Sequence, residues 1–316
     1  MKNILPTTIY LLCAMLITFS CKKSGHKLEP VAKDKIDIIK LVAQSRPGGK
    51  PKEFNMPIDK GLDKLEFVDT EQVKIDSSDL VLGMSIGNYE VAIPITYLSG
   101  FEVANLKVND NNYLVTWCPL VGSARIFNGE IKGDYSGFDF GRGLRNNNLL
   151  IVDRKTNSVW NQLSCKAIHG ELEGNKLIPL PTIQSTWSFW KQKHPETKLV
   201  INRDTSGAVF PSFVFEKPHY NTWEPGKGRP EITNAHDIEN LGLGIELGES
   251  SIFFPLDKLF ENKSPMEFEL ENQKILIYFS KSGLTAWAED EKGKAIPSTI
   301  VYNWAWKNFF PNSREF

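Results

Sequence analysis

Two cysteines and a histidine set the first chemical question. In YLVTWCPLVG, residues 113–122, a strand-like run of apolar and β-branched residues ends at Cys118. Pro119, which cannot donate to a sheet ladder, follows, and the chain turns at Gly122. That puts a thiol at the mouth of a strand. Cys165 lies 47 residues on (165 − 118), and His169 follows it by four residues (169 − 165). Four chemistries fit the pair. A disulfide would close that loop and stabilise by about 4 kcal/mol in the chain-entropy account. Alternatively both are inert buried thiols. A soft metal ion held by Cys118, Cys165 and His169 is the third reading, and a reactive cysteine the fourth. No CxxC opens a helix, which weakens the last of these.

A second polar group precedes an apolar strand. Arg142, Arg145 and Asn146 to Asn148 crowd donors and amides immediately before LLIVD. With Asp153 and Trp160 they read either as a pocket for a small anionic ligand, since guanidinium offers a planar fork, or as a glycine-rich surface loop with solvated arginines. Asp153, Thr156 and Ser158 also fit turn hydrogen bonds in a hairpin formed by LLIVD, RKTN and SVWNQL. Among the other histidines, His194 stands before Pro195 and reads as a helix-end cap, whereas His219, His236 and His26 have no paired spacing. There is no HExxH, P-loop or strand-preceded GxGxxG. The sequence therefore implies no cofactor and names no reaction.

These residues must be carried by a folded region, and the chain's ends say where it lies. Lys2, an apolar run over residues 4–19 and Ser20 before Cys21 read as a secretion signal with lipoprotein processing; an uncleaved anchor is the alternative. Thr18 stands where the bacterial lipobox usually has leucine. On this reading residues 1–20 are a signal peptide, Cys21 carries lipid, and residues 21–55 are a flexible tether with no sustained apolar period. The protein then sits in the cell envelope, membrane-attached through lipid and facing the periplasm or exterior. A net charge of −1 and the lack of a basic cluster interleaved with aromatics argue against nucleic acid as a partner.

The chain compared with itself shows a repeat. Residues 81–100 align without gaps on residues 242–261, pairing Gly83 with Gly244, Gly87 with Gly248 and Pro94 with Pro255 at one offset of 161 (244 − 83). The same offset carries Trp117 onto Tyr278 and Gly122 onto Gly283. Two Trp-rich stretches that stop before proline, TWSFWKQKHP and NWAWKNFFP, align at 116 (306 − 190), so the first copy holds about 45 additional residues. The expected fold is a β-rich α+β domain of two unequal pseudo-repeats, each a small mainly antiparallel sheet with a Trp-rich helix. The first spans residues 56–205 with an insertion over about 123–180. A Pro/aromatic loop occupies 206–237, and the second copy 238–316. Material added to one copy is where a site is expected.

Gly83 through Pro94, WCPLVG, LLIVDRKTNSVWNQL, SFWKQKHPET and the NRD at 202–204 together resemble the bacterial family called domain of unknown function 3179. The resemblance covers residue 79 to the C-terminus and implies an exported member, a lipoprotein of the Bacteroidetes type, with no activity to carry over. Many relatives have Cys-Pro-Leu-Cys-Gly where this chain has Val121, and commonly a small residue at the position of Cys165. The reading overall is a non-catalytic ligand-binding or scaffolding lipoprotein, taking a small anionic ligand or a protein partner at a site between the half-repeats. The alternative is a thiol- or metal-dependent enzyme or metal-handling protein using Cys118 with Cys165 or His169.

Overall fold

The computed structural model describes residues 38–43, 52–98, 101–202 and 240–316. Cys21, the signal segment and the 206–237 loop lie outside them. Local rules set the hairpins. β4 (Leu80–Ile86) and β5 (Tyr89–Pro94) close at Gly87, whose φ of +59° is a conformation glycine adopts without a Cβ penalty. β17 (Leu241–Leu247) and β18 (Ser250–Pro255) close in the same way at Gly248, φ +61°. After its proline each hairpin passes into one helical turn, α1 (Ile95–Leu98) or α3 (Leu256–Leu259).

The described strands form five sheets of three or more strands and one two-stranded ribbon. The five-stranded sheet runs β15 (Ile183–Thr186), β4, β5, β16 (Lys198–Ile201), β3 (Glu66–Val68). A four-stranded sheet runs β23 (Ser298–Tyr302), β17, β18, β24 (Arg314–Glu315). Two antiparallel meanders follow the hairpins. One is three-stranded, β6 (Val103–Val108), β7 (Asn111–Cys118) and β8 (Ser123–Asn128). The other, the Trp287 sheet, is β19 (Met266–Leu270), β20 (Gln273–Ser280), β21 (Thr285–Asp290) and β22 (Ala295–Ile296). The fifth sheet joins β1 (Ile38–Ala43), β2 (Lys52–Asp59), β11 (Phe138–Arg145), β12 (Asn148–Asp153), β13 (Val159–Asn161) and β14 (Ala167–His169). β9 (Glu130–Ile131) and β10 (Asp134–Tyr135) make a separate ribbon.

The sheets are arranged as a five-bladed β-propeller. This corrects the expected α+β fold of two unequal pseudo-repeats, each a sheet with a Trp-rich helix. The helices in question, α2 (Trp187–Lys193) and α4 (Asn303–Phe309), are seven residues each, too short to form a layer. The aligned stretches supply blades, not self-contained halves. The backbone N–H of Thr186, before α2, donates to Gly283 O (3.0 Å), and that of Tyr302, before α4, to Val121 O (3.2 Å). Each aligned stretch is thus closed by the other. Strand periodicity reports which face of a strand is buried, not which sheet the strand joins.

The fifth sheet brings a second correction. Part of the stretch read as a tether is strand: β1 pairs with β2, and β2 with β11 through Phe140↔Asp59 and Gly141↔Ile58. The inserted β12–β13 hairpin has the expected register, with Ile151 opposite Trp160, but every residue of both strands is buried. A buried polar network ties it to the three-stranded sheet. Asn148 Nδ2 donates to Gln162 Oε1 (2.8 Å), Gln162 Nε2 to Thr116 Oγ1 (2.9 Å), and Arg125 Nη1 to Leu163 O (2.8 Å). The Arg125 guanidinium also lies 5.4 Å from the Phe127 ring centroid, so its charge meets carbonyl and π electrons in the interior.

Candidate functional site

The structure separates the residues that the sequence grouped. Asp153 is fully buried; it accepts from Ser136 Oγ (3.0 Å), Thr156 N (2.7 Å) and Trp160 Nε1 (3.0 Å). Asp153 and Trp160 therefore satisfy each other inside the fold. Asn147 lies at the opposite end of β12, about 20 Å away at ~3.3 Å per strand residue. Arg142, largely exposed, pairs with Asp59 of β2, and Arg145 is exposed at the β11–β12 turn. Of these five residues only Asp153 lines any of the three described hollows, one of about 130 Å³ that it shares with Thr156 and Lys155.

Cys118 and Cys165 are both free and buried. Each sulfur faces different carbonyls, Cys118 Sγ the oxygen of Asn147 (3.9 Å) and Cys165 Sγ those of Leu163 (3.8 Å) and Gln162 (3.9 Å). Burial, with a smaller push from the Glu102 carboxylate, raises the Cys118 thiol to about 12, and burial also raises Cys165. Neither is a thiolate at neutral pH. No group of three metal-ligating side chains exists among the described residues, so Cys118, Cys165 and His169 do not form the metal site that their types allowed. Burial lifts Glu102 itself to about 7.

A cleft of about 470 Å³ opens elsewhere, between the end of α2, strand β4 and the Trp287 sheet. Trp287 lines it, and cross-strand pairing sets Tyr278 beside that ring. Tyr278 on β20 stands opposite Trp287 on β21, and their rings stack at 5.2 Å and 10°. Glu289 shares the face of Trp287 at i+2 and accepts its indole N–H (2.9 Å). From α2, Lys193 Nζ lies 4.9 Å from the Trp287 ring centroid, and Phe189 packs at 5.9 Å. Phe189 needs the glycine below it, because a Cβ on Gly283 would sit 2.6 Å from its ring. A second hollow of about 500 Å³ adjoins the first and shares Lys193, Trp287 and Glu289 with it. Deeper in, the His194 ring stacks on Trp190 at 4.1 Å, with Nδ1 3.6 Å from Glu90 Oε2. Nε2 of His194 is buried and has no partner among the described residues. Burial moves His194 down, partly opposed by Glu90, so it is neutral at pH 7 and Lys193 is the cation of the cleft.

The family signature matches residues 61–313. The chain belongs to the family described as protein of unknown function DUF3179. The matched span contains the cleft, strands β11 to β14 of the inserted sheet and both buried cysteines, and the family description assigns no activity. No curated protein and no solved structure matches the chain.

Sequence reasoning passed over the cleft although one signal for it was present. The end of α2 reads Gln192, Lys193, His194, and the aligned end of α4 reads Asn308, Phe309, Phe310. The scaffolds beneath are alike. Trp190 Nε1 donates to Thr197 Oγ1 (2.8 Å) and Trp306 Nε1 to Ser313 Oγ (2.7 Å). His194 N donates to Trp190 O (2.8 Å) and Phe310 N to Trp306 O (2.9 Å). His194 does close the helix, but through its backbone. Phe310 stacks on Trp306 at 4.0 Å without any ring nitrogen, so the imidazole of His194 is not what the stacking requires.

Proposed function

We propose that this protein is an exported, lipid-anchored member of the family, of the Bacteroidetes lipoprotein type, whose folded part binds a ligand without catalysis in the cleft between α2 and the Trp287 sheet. One observation carries the reading. At matched positions on matched scaffolds, α4 presents phenylalanines to the core, whereas α2 presents Lys193 and His194 to an open aromatic cleft. Packing alone is met by the apolar version, so the polar version serves something else. The thiol- or metal-dependent alternative is less well supported, since both thiols are buried and raised in pKa.

Two measurements test the proposal. A thermal-shift screen of small solutes should yield a stabilising compound whose effect disappears in Lys193→Met and persists in Arg145→Ala; the reverse pattern would move the site to the inserted sheet. Mass analysis of membrane-extracted protein should show a chain beginning at a lipid-modified Cys21, and an unmodified Cys21 would remove the anchor.

A further inference from the structure

Resting on the reading of the cleft as a ligand site, we infer that its ligand is an extended polypeptide that adds as a strand to β4 at Ser85. The pairing of β4 carries the argument. β15 covers one edge of β4 only from Leu80 to Gly83, and Met84 to Ile86 are paired with β5 alone. Before β15 the chain has already turned to the three-stranded sheet, where Leu180 N donates to Ile126 O (2.9 Å). Had the register run two residues further, Pro181 would stand opposite Ser85, and proline has no N–H to give. The cleft follows this edge from Gly83 to Gly87, and Ser85 is exposed along it.

The hairpin sets which groups point into the cleft. With Gly87 and Asn88 as a two-residue turn, Ile86 and Tyr89 exchange backbone hydrogen bonds across it, so Ser85 and Glu90 form the next pair, which does not. The N–H and C=O of Ser85 therefore face away from β5, and they have no partner among the described residues. Residues 83–87 read GxSxG, yet Ser85 lies within a strand and its hydroxyl donates to Glu90 (2.8 Å), so it offers the cleft its backbone and not a nucleophile. On the other hairpin the pairing runs one residue further, Ile245 to Ser298, and Glu246, which aligns with Ser85, holds Lys176 of the insertion at 2.8 Å. A peptide residue supplies one acceptor and one donor at the spacing that an open strand residue needs, which is how strand addition binds. The remaining wall is largely apolar, with Ile86, Tyr113, Leu180 and Ile296, and gives the side chains of an added strand surface to bury. A small polar solute would meet the two backbone groups and leave that wall wet.

The test uses the full-length chain in a zwitterionic detergent. Short random peptides displayed on phage are selected against it, and the strongest is synthesised together with a set in which each backbone N–H in turn is methylated; affinities are read by calorimetry. A peptide should bind, with affinity falling about tenfold in Ser85→Pro, which removes the outward N–H where an edge strand tolerates proline, and severalfold in Lys193→Met. In the methylated set the losses should fall on alternate residues, since only every second N–H of an added strand faces its partner. That readout uses the unaltered protein and stands even if Ser85→Pro misfolds. No peptide binding at about 1 mM overturns the inference. Methylation losses that do not alternate overturn strand addition, and where Lys193→Met still weakens that peptide the cleft stays as the site. Binding indifferent to both substitutions overturns the cleft itself.

Discussion

Two seams of this molecule are built alike and finished differently. At one, α2 meets the Trp287 sheet, held by the Thr186 N–H on Gly283; at the other, α4 meets the three-stranded sheet, held by the Tyr302 N–H on Val121. Both helices seat a tryptophan over a glycine whose Cβ would lie 2.3 Å from Trp190 at Gly83 and 2.4 Å from Trp306 at Gly244. The seams diverge at the surface. The inserted sheet covers the second, with Asn146 Nδ2 donating to Asn308 O (3.3 Å) and Cys118 facing Asn147, and there the helix ends in Phe309 and Phe310 against the core. Among the described residues the first has no such cover, and its helix ends in Lys193 and His194. The insertion, whatever else it holds, covers one seam. Among the described residues, that first seam opens onto a cleft lined by Lys193, His194 and Trp287.

Breaking the shared scaffold gives the largest expected effect. Trp190→Ala and Trp306→Ala should each lower unfolding free energy by about 3–5 kcal/mol in urea denaturation, since each empties a buried indole site. Losses that differ by more than about 2 kcal/mol would show that the two scaffolds are not energetically equivalent.

Glu102, beside Cys118 on the sealed side, should make stability depend on pH. Its carboxyl is raised from an ordinary 4.5 to about 7, so between those values the folded chain holds a proton that the unfolded chain has released. The associated stability is present below about pH 4.5 and is lost as pH rises through about 7, by about 3 kcal/mol at most. Glu102→Gln should flatten that slope in denaturation series at stepped pH, and an unchanged slope would assign it to other groups.

Exchanging the helix ends sharpens the comparison further. Phe310→His puts a polar ring on the sealed side and should cost about 1–3 kcal/mol. His194→Phe removes a buried nitrogen without a described partner and should be neutral or stabilising by up to about 1 kcal/mol, while weakening ligand binding. Equal costs in both directions would mean that His194 is as structural as Phe310. The smallest effect is expected at Arg145, exposed at the hairpin turn, where alanine should change stability by no more than about 0.5 kcal/mol.

What was legible in the sequence was local. Gly87 and Gly248 marked the hairpins because a tight turn needs a residue free to adopt positive φ, and Gly83 with Trp190 and Gly244 with Trp306 kept one spacing because a ring occupies the missing Cβ. The β12–β13 register followed from alternation around a short turn. What the tertiary structure decided was partnership. Nothing in residues 52–59 announces that they pair with β11, because the alternation within a strand reads the same whichever strand lies beside it. That pairing turned a supposed tether and an insertion into a fifth blade, within which Asp153 and Trp160 are buried. The cleft arises likewise, from Lys193 and Trp287 on elements far apart in the chain. Sequence periodicity carries the direction of a side chain relative to its own strand or helix; the chemistry it meets there depends on which other element is packed opposite.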